Sequence, residues 1–89
     1  MITYYKPSDV PHFKSGMTIR VAERQCYQSL VVNAVITPPI EHTLSAYNTT
    51  IRAVYREEEE DADGNLLVSL TLETRRGELV DPSEVTILV

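Results

Sequence analysis

The seven positions from Glu57 to Asp63 hold six carboxylates and no base, and they are the first place to look for chemistry. With Gly64 and Asn65 following, Asp61 and Asp63 raise the question of a calcium loop. An EF-hand loop needs glycine at its sixth position and a bidentate glutamate at its twelfth. Counted from Asp61, Gly64 stands fourth and Leu72 twelfth, so the pattern fails and no metal site is expected. A run of carboxylates on a rigid hairpin can also mimic a phosphate backbone. Mimicry of that kind spreads charge over a whole face, whereas here a single loop is acidic. The expectation is therefore a charged hairpin tip, Glu57, Glu58, Glu59, Glu60, Asp61 and Asp63, that keeps the hairpin soluble and blocks edge pairing.

Nucleophilic catalysis would need Cys26 beside His12 or His42. No Gly-rich or helix-start context activates the thiol, and Cys26 reads as an inert, small hydrophobe. One cysteine and two histidines are too few for a structural zinc site. Nothing assembles an acid, a base and a nucleophile, so the chain is expected to be no enzyme and to hold no cofactor. Tyrosines do interleave with bases: Tyr4 and Tyr5 with Lys6, Arg24 with Tyr27, Tyr47 with Arg52, and Tyr55 with Arg56. Small barrels bind single strands by stacking bases on such aromatics. Six bases beside an acidic knob make a poor footprint for nucleic acid, which is not the expected partner. Tyrosine and arginine are equally the usual anchors of protein interfaces. The candidate binding residues are thus Arg24, Tyr27, Tyr47, Arg52, Tyr55 and Arg56, with a protein as the expected partner. As an alternative, Arg20, Arg24, Arg52 and Arg56 could hold a small phosphate-bearing anion at an oligomer interface.

The elements that must position these residues read mostly as strands. Ten Val, six Ile and nine Thr stand against five Ala, and β-branched side chains fit a pleated surface better than a helix. Leu66, Val68, Leu70 and Leu72 alternate with Leu67, Ser69, Thr71 and Glu73, the period of a strand with one buried face. Ile51, Ala53 and Tyr55 alternate before them, and Asp61-Ala62-Asp63-Gly64-Asn65 supplies the turn of a hairpin. Arg75-Arg76-Gly77-Glu78 marks a second turn, and Val85, Ile87 and Val89 a short last strand. Met17, Ile19 and Val21 alternate as well, and so do Leu30, Val32, Ala34 and Ile36. A helical register also exists within 22–36, through Ala22, Cys26, Tyr27, Leu30, Val31, Ala34 and Val35. The β-branched run Val31 to Thr37 favours strand. Pro38-Pro39 ends it, and Ile40 to Asn48 reads as a loop or one short helical turn.

The segment Gly77-Glu78-Leu79-Val80-Asp81-Pro82-Ser83-Glu84-Val85-Thr86-Ile87-Leu88 resembles the close of a Src-homology-3-like small barrel. There the fourth strand ends in a Gly-containing turn, and a Pro-Ser-type helical turn leads into the last strand. The resemblance implies a small barrel. With no tryptophan in the chain, the aromatic peptide-binding face of that family is missing, and binding of proline-rich peptides does not carry over. The fold expected is mainly β, a five-stranded curled sheet or Src-homology-3-like barrel, with α+β and a helix within 22–36 as the alternative. Residues 1–89 read as one domain with an extended segment over 1–15.

Charge is uneven along the chain. Residues 1–56 balance to +3, residues 57–63 carry six acids, and residues 64–89 balance to −2, for a net −5. With one cysteine, no leader pattern and no long apolar run, a cytoplasmic protein is expected, in a host cytoplasm if phage-encoded. A domain this small gains stability by associating, so a homo-oligomer is expected. The leading functional expectation is a non-enzymatic protein-binding module, of the kind phages encode as inhibitors or accessory proteins; a structural virion component is a further alternative.

Overall fold

A computed structural model of the chain describes residues 2–29 and 31–88. Among the described residues ten strands follow one another: β1 (Tyr4–Tyr5), β2 (Thr18–Val21), β3 (Arg24–Gln28), β4 (Val31–Val32), β5 (Val35–Ile36), β6 (Ile40–Leu44), β7 (Tyr47–Glu60), β8 (Leu66–Thr74), β9 (Leu79–Val80) and β10 (Val85–Ile87). Two short 3₁₀ turns, Pro7–Asp9 and Pro82–Glu84, sit between them. The class is mainly β. An antiparallel sheet in the order β1–β8–β7–β2–β10, with β9 also on β8, curls into a half-barrel.

The curl has a local cause. β7 gives residues 47–50 to β2 and residues 51–60 to β8, and the register shifts between Ile51 and Ala53. An extra residue on one strand bends it and tightens its twist, so β7 turns the corner at Arg52. Inside the corner Ile19, Val21, Ile51, Leu72 and Val80 are fully buried, flanked by Phe13, Met17, Tyr47, Val54 and Val85. Val68 and Leu70 continue the buried row along β8. The alternation read along this strand holds for Val68, Leu70 and Leu72, whereas Leu66 is exposed at the hairpin end and Ser69 is buried between Val68 and Leu70.

The last strand depends on a cap. Asp81 accepts from the Ser83 backbone N–H, and Glu84 returns to the Asp81 N–H, closing a capping box around Pro82–Glu84. Aspartate at this position satisfies donors that a 3₁₀ turn leaves open. Asp81 also takes both the N–H (2.9 Å) and the hydroxyl (2.6 Å) of Thr3. One carboxylate thereby fastens the two ends of the chain together.

Three expectations are corrected. Among the described residues of 22–36 the strand reading holds and the helical alternative does not, but the stretch is divided into β3, β4 and β5 rather than forming one continuous run. Val31↔Ile36 and Val32↔Val35 pair across Asn33 and Ala34, whose φ values are 51° and 63°. Two positive φ angles in a two-residue loop are what a hairpin with matched twist requires, and asparagine tolerates that region. Leu30 lies outside the described residues, as do Met1 and Val89. Ile40–Leu44 is a strand rather than a loop or helical turn, because it pairs with β3 from Arg24↔Leu44 to Gln28↔Ile40. Finally, Glu57–Glu60 do not form the hairpin tip: they are strand residues opposite Leu66–Ser69, and the turn begins at Asp61.

Candidate functional site: a projecting apolar arm

Residues 24–44 fold on themselves, away from the half-barrel. Among the described residues β3 pairs only with β6, and β4 only with β5, giving a two-stranded ribbon. No charged residue occurs from Gln25 to Ile40. Tyr27 (72%), Val31 (71%) and Ile36 (72%) stand largely in solvent, and Val32, Val35, Ile40 and Leu44 are exposed as well. Side chains of a strand alternate between faces, so the end of the ribbon is apolar on both. The molecule measures 50 × 37 × 17 Å with a radius of gyration of 16.1 Å, against about 12 Å for a compact domain of this length.

The base of the arm is clamped to the body. The Arg24 guanidinium donates to Glu78 (2.7 Å) and to Glu84 (3.4 Å), and the Tyr47 hydroxyl donates to the same Glu78 oxygen (2.7 Å). Arg76 lies over the Tyr47 ring, 4.1 Å from its centroid, a cation–π contact. Burial and the bond to Glu78 raise the Tyr47 hydroxyl above its ordinary value, which keeps it a donor. Glu78 is held in turn by its own N–H, which donates to the Thr74 hydroxyl (3.3 Å).

The six residues expected to form one Tyr/Arg surface therefore stand in four places. Arg24 and Tyr47 belong to the clamp. Tyr27 is on the arm, opposite Glu41. Arg52 and Tyr55 flank Glu73 on the outer face of β7 and β8, at 4.0 Å and 3.5 Å. Arg56 donates to Glu58 and lines an open cleft of about 350 Å³ with Phe13, Pro11, His12 and Leu70. Arg20, the remaining anion candidate, reaches Asn48 (3.3 Å). For an incoming anion, Arg24, Arg52 and Arg56 each already face a carboxylate.

The acidic positions divide between strand and turn. Glu57–Glu60 line a stretch of β7 whose second edge pairs with nothing among the described residues. The Asp61 carboxylate accepts from the N–H groups of Asp63 and Asn65, both at 2.9 Å, so it serves its own turn. Among the described residues no group of three His, Cys, Asp or Glu could hold a metal ion, and no helix is long and apolar enough to cross a membrane. His42 faces Cys26 across the arm, and its Nε2 is shut from solvent without a hydrogen-bond partner among the described residues. The Cys26 side chain lies outside what is described, so no pairing of thiol and imidazole is assigned.

Sequence reasoning missed the arm's exposed valines and isoleucines. Val31, Val32, Val35 and Ile36 read only as strand residues, because β-branching signals a strand and says nothing of exposure. The signal that could have found them was Asn33-Ala34 between two Val/Ile pairs, a short-hairpin pattern with apolar residues on both faces. In comparisons with family models, curated proteins and solved structures, nothing matched this chain.

Proposed function

We propose that this protein is a non-enzymatic binding module that engages a protein partner, another chain or a second copy, through the arm of residues 24–44. The observation that carries the reading is the uncharged, two-faced apolar ribbon held away from the body. Monomeric proteins rarely expose a large contiguous apolar patch without a use for it. An isolated two-stranded ribbon is marginal in water, so a partner that covers the arm also stabilises it. Tyr27 supplies the aromatic anchor typical of interfaces. Arg24 and Tyr47 act as positioning residues, fixing the angle at which the arm leaves the half-barrel.

We further propose that the half-barrel is an open relative of the Src-homology-3-like barrel. In support, β7, β8 and β9 form a meander, Pro82–Glu84 makes the 3₁₀ turn, and β10 returns to pair with β2.

The binding reading is tested by affinity capture from cognate lysate together with the native mass of the purified chain. The expected result is a defined complex, with a foreign protein or with itself. Val31→Lys/Ile36→Lys abolishes that complex, and Glu59→Lys, on the far side of the body, preserves it. A purified chain that stays alone in both measurements, or a complex indifferent to the arm, would overturn the reading.

A further inference from the structure

We infer that the arm is the outer part of one long β2–β7 hairpin, joined to the half-barrel by a hinge at Ala22-Glu23 and Ser45-Ala46 that Arg24 latches. The inference concerns how the arm moves, and it stands whatever the arm binds.

The register carries it. β2 and β7 pair from Thr18↔Thr50 to Val21↔Tyr47, and β3 and β6 pair from Arg24↔Leu44 to Gln28↔Ile40. Two residues lie in the gap on each side, Ala22 and Glu23 facing Ser45 and Ala46, and none of the four belongs to a strand. Pairing therefore resumes in the register it left. An inserted residue would have shifted it, as happens between Ile51 and Ala53. The break is missing ladder rather than added chain. Hinges are a few residues at the ends of elements that absorb changes in backbone angle, and they are often small. Ala22, Ser45 and Ala46 fit that description. The Ala22 N–H donates to the Glu84 carbonyl at 2.7 Å, which anchors the body side of the hinge.

Little else fixes the arm's direction. Among the described residues, neither the buried core nor the side chains packed against it include any from 24–44. Among the described side chains of β3 and β6, only Arg24 bonds to the half-barrel, through Glu78 (2.7 Å) and Glu84 (3.4 Å). That latch is partly exposed, so water and salt weaken it. Its carboxylates have other partners, since Glu78 keeps the Tyr47 hydroxyl and Glu84 keeps the Asp81 N–H. Arg24 can leave without unseating either. Once it leaves, the ladder can close across the gap, with Ala22 beside Ala46 and Glu23 beside Ser45. The arm then stands as a straight extension of β2 and β7. The two positions exchange one exposed ion-pair cluster for a few ladder bonds, a difference small enough for both to be populated.

The test is pulsed dipolar spectroscopy on nitroxides at Val35→Cys and Glu59→Cys in a Cys26→Ser background. Both labelled positions are exposed, and dilution with unlabelled chain leaves only distances within one molecule. At about 0.01 M ionic strength, where the screening length is about 30 Å, one separation is expected. At about 1 M, where that length is about 3 Å, a second separation grows in. Arg24→Gln shows the second at both ionic strengths, and Arg24→Lys restores the dependence on salt. Glu23→Thr/Ser45→Thr, added to Arg24→Gln, narrows the distribution onto the second separation, because opposed β-branched residues favour a closed ladder. Melting curves in each condition check that the half-barrel is folded. A wild-type distribution indifferent to salt overturns the inference, since a screened latch must release. An Arg24→Gln chain that keeps the single low-salt separation overturns it as well, because the elbow is then rigid. So does salt dependence that persists without Arg24, which would place the latch elsewhere. Should a substituted chain fail to fold, the wild-type salt series decides alone.

Discussion

Asp81 is the residue on which most bonds converge. Burial pushes its carboxyl up, and bonds from the hydroxyls and backbone N–H groups of Ser83 and Thr3 outweigh that, holding it at about 2 against an ordinary 3.8. A depressed carboxylate stabilises the fold fully above its unfolded pKa and loses that contribution as pH falls through the folded one. The melting temperature is therefore expected to drop between about pH 4 and pH 2, and in Asp81→Asn this part of the acid limb disappears while neutral stability falls. Circular dichroism melts across the acid range check both. At the arm's base, Arg24→Ala leaves Glu78 and Glu84 facing each other without their shared cation. The pair is partly exposed, so the loss expected in chemical denaturation is about 1 kcal/mol rather than that of a buried pair. Tyr47→Phe removes one bond and costs about 0.5–1.5 kcal/mol. The sequence showed Arg24 and Tyr47 as candidates, but not that they would meet on Glu78. Residues 24, 47 and 78 come together only once β7 has turned its corner.

At the scale of elements, the strongly alternating β8 and the Asp-Gly-Asn turn were legible because local pattern and tertiary burial agree there. The 24–44 region was not, for a physical reason. Sequence patterns encode burial, and this ribbon has apolar residues on both faces with no core to receive them. Helix, continuous strand and hairpin registers all fit such a stretch. The decisive features are local and small: positive φ at Asn33 and Ala34, and the proline pair that stops β5. Alanine is a poor occupant of the left-handed region, at a cost of about 1–2 kcal/mol, whereas glycine enters it freely. Ala34→Gly is therefore expected to tighten the arm's turn, seen as slower amide hydrogen exchange across Val31–Ile36 with the half-barrel unchanged. Faster exchange there would show that the turn is not the strained part.

For the whole molecule, the longest open stretch of edge in the half-barrel lies along β7 and carries four glutamates, whereas the open end strands β1 and β10 span only two and three residues. Replacing Glu57, Glu58, Glu59 and Glu60 together by threonine preserves β propensity while removing the repulsion. Light scattering is expected to report concentration-dependent aggregation of that variant and none of the wild type. The clasp between Thr3 and Asp81 has a consequence in time rather than in space. β2 receives its β10 neighbour only when Val85 can reach Val21, sixty-four positions later. At ribosomal rates of about 5–20 residues per second that is a delay of roughly 3–13 s. For the last forty-one of those positions, once Leu44 has been made, the nascent chain displays the apolar ribbon before the sheet can close, and the long-range pairing that ends the wait is itself slow. Neighbouring ribosomes on one message would present such ribbons to each other at high local concentration, so synthesis itself would favour encounters between copies.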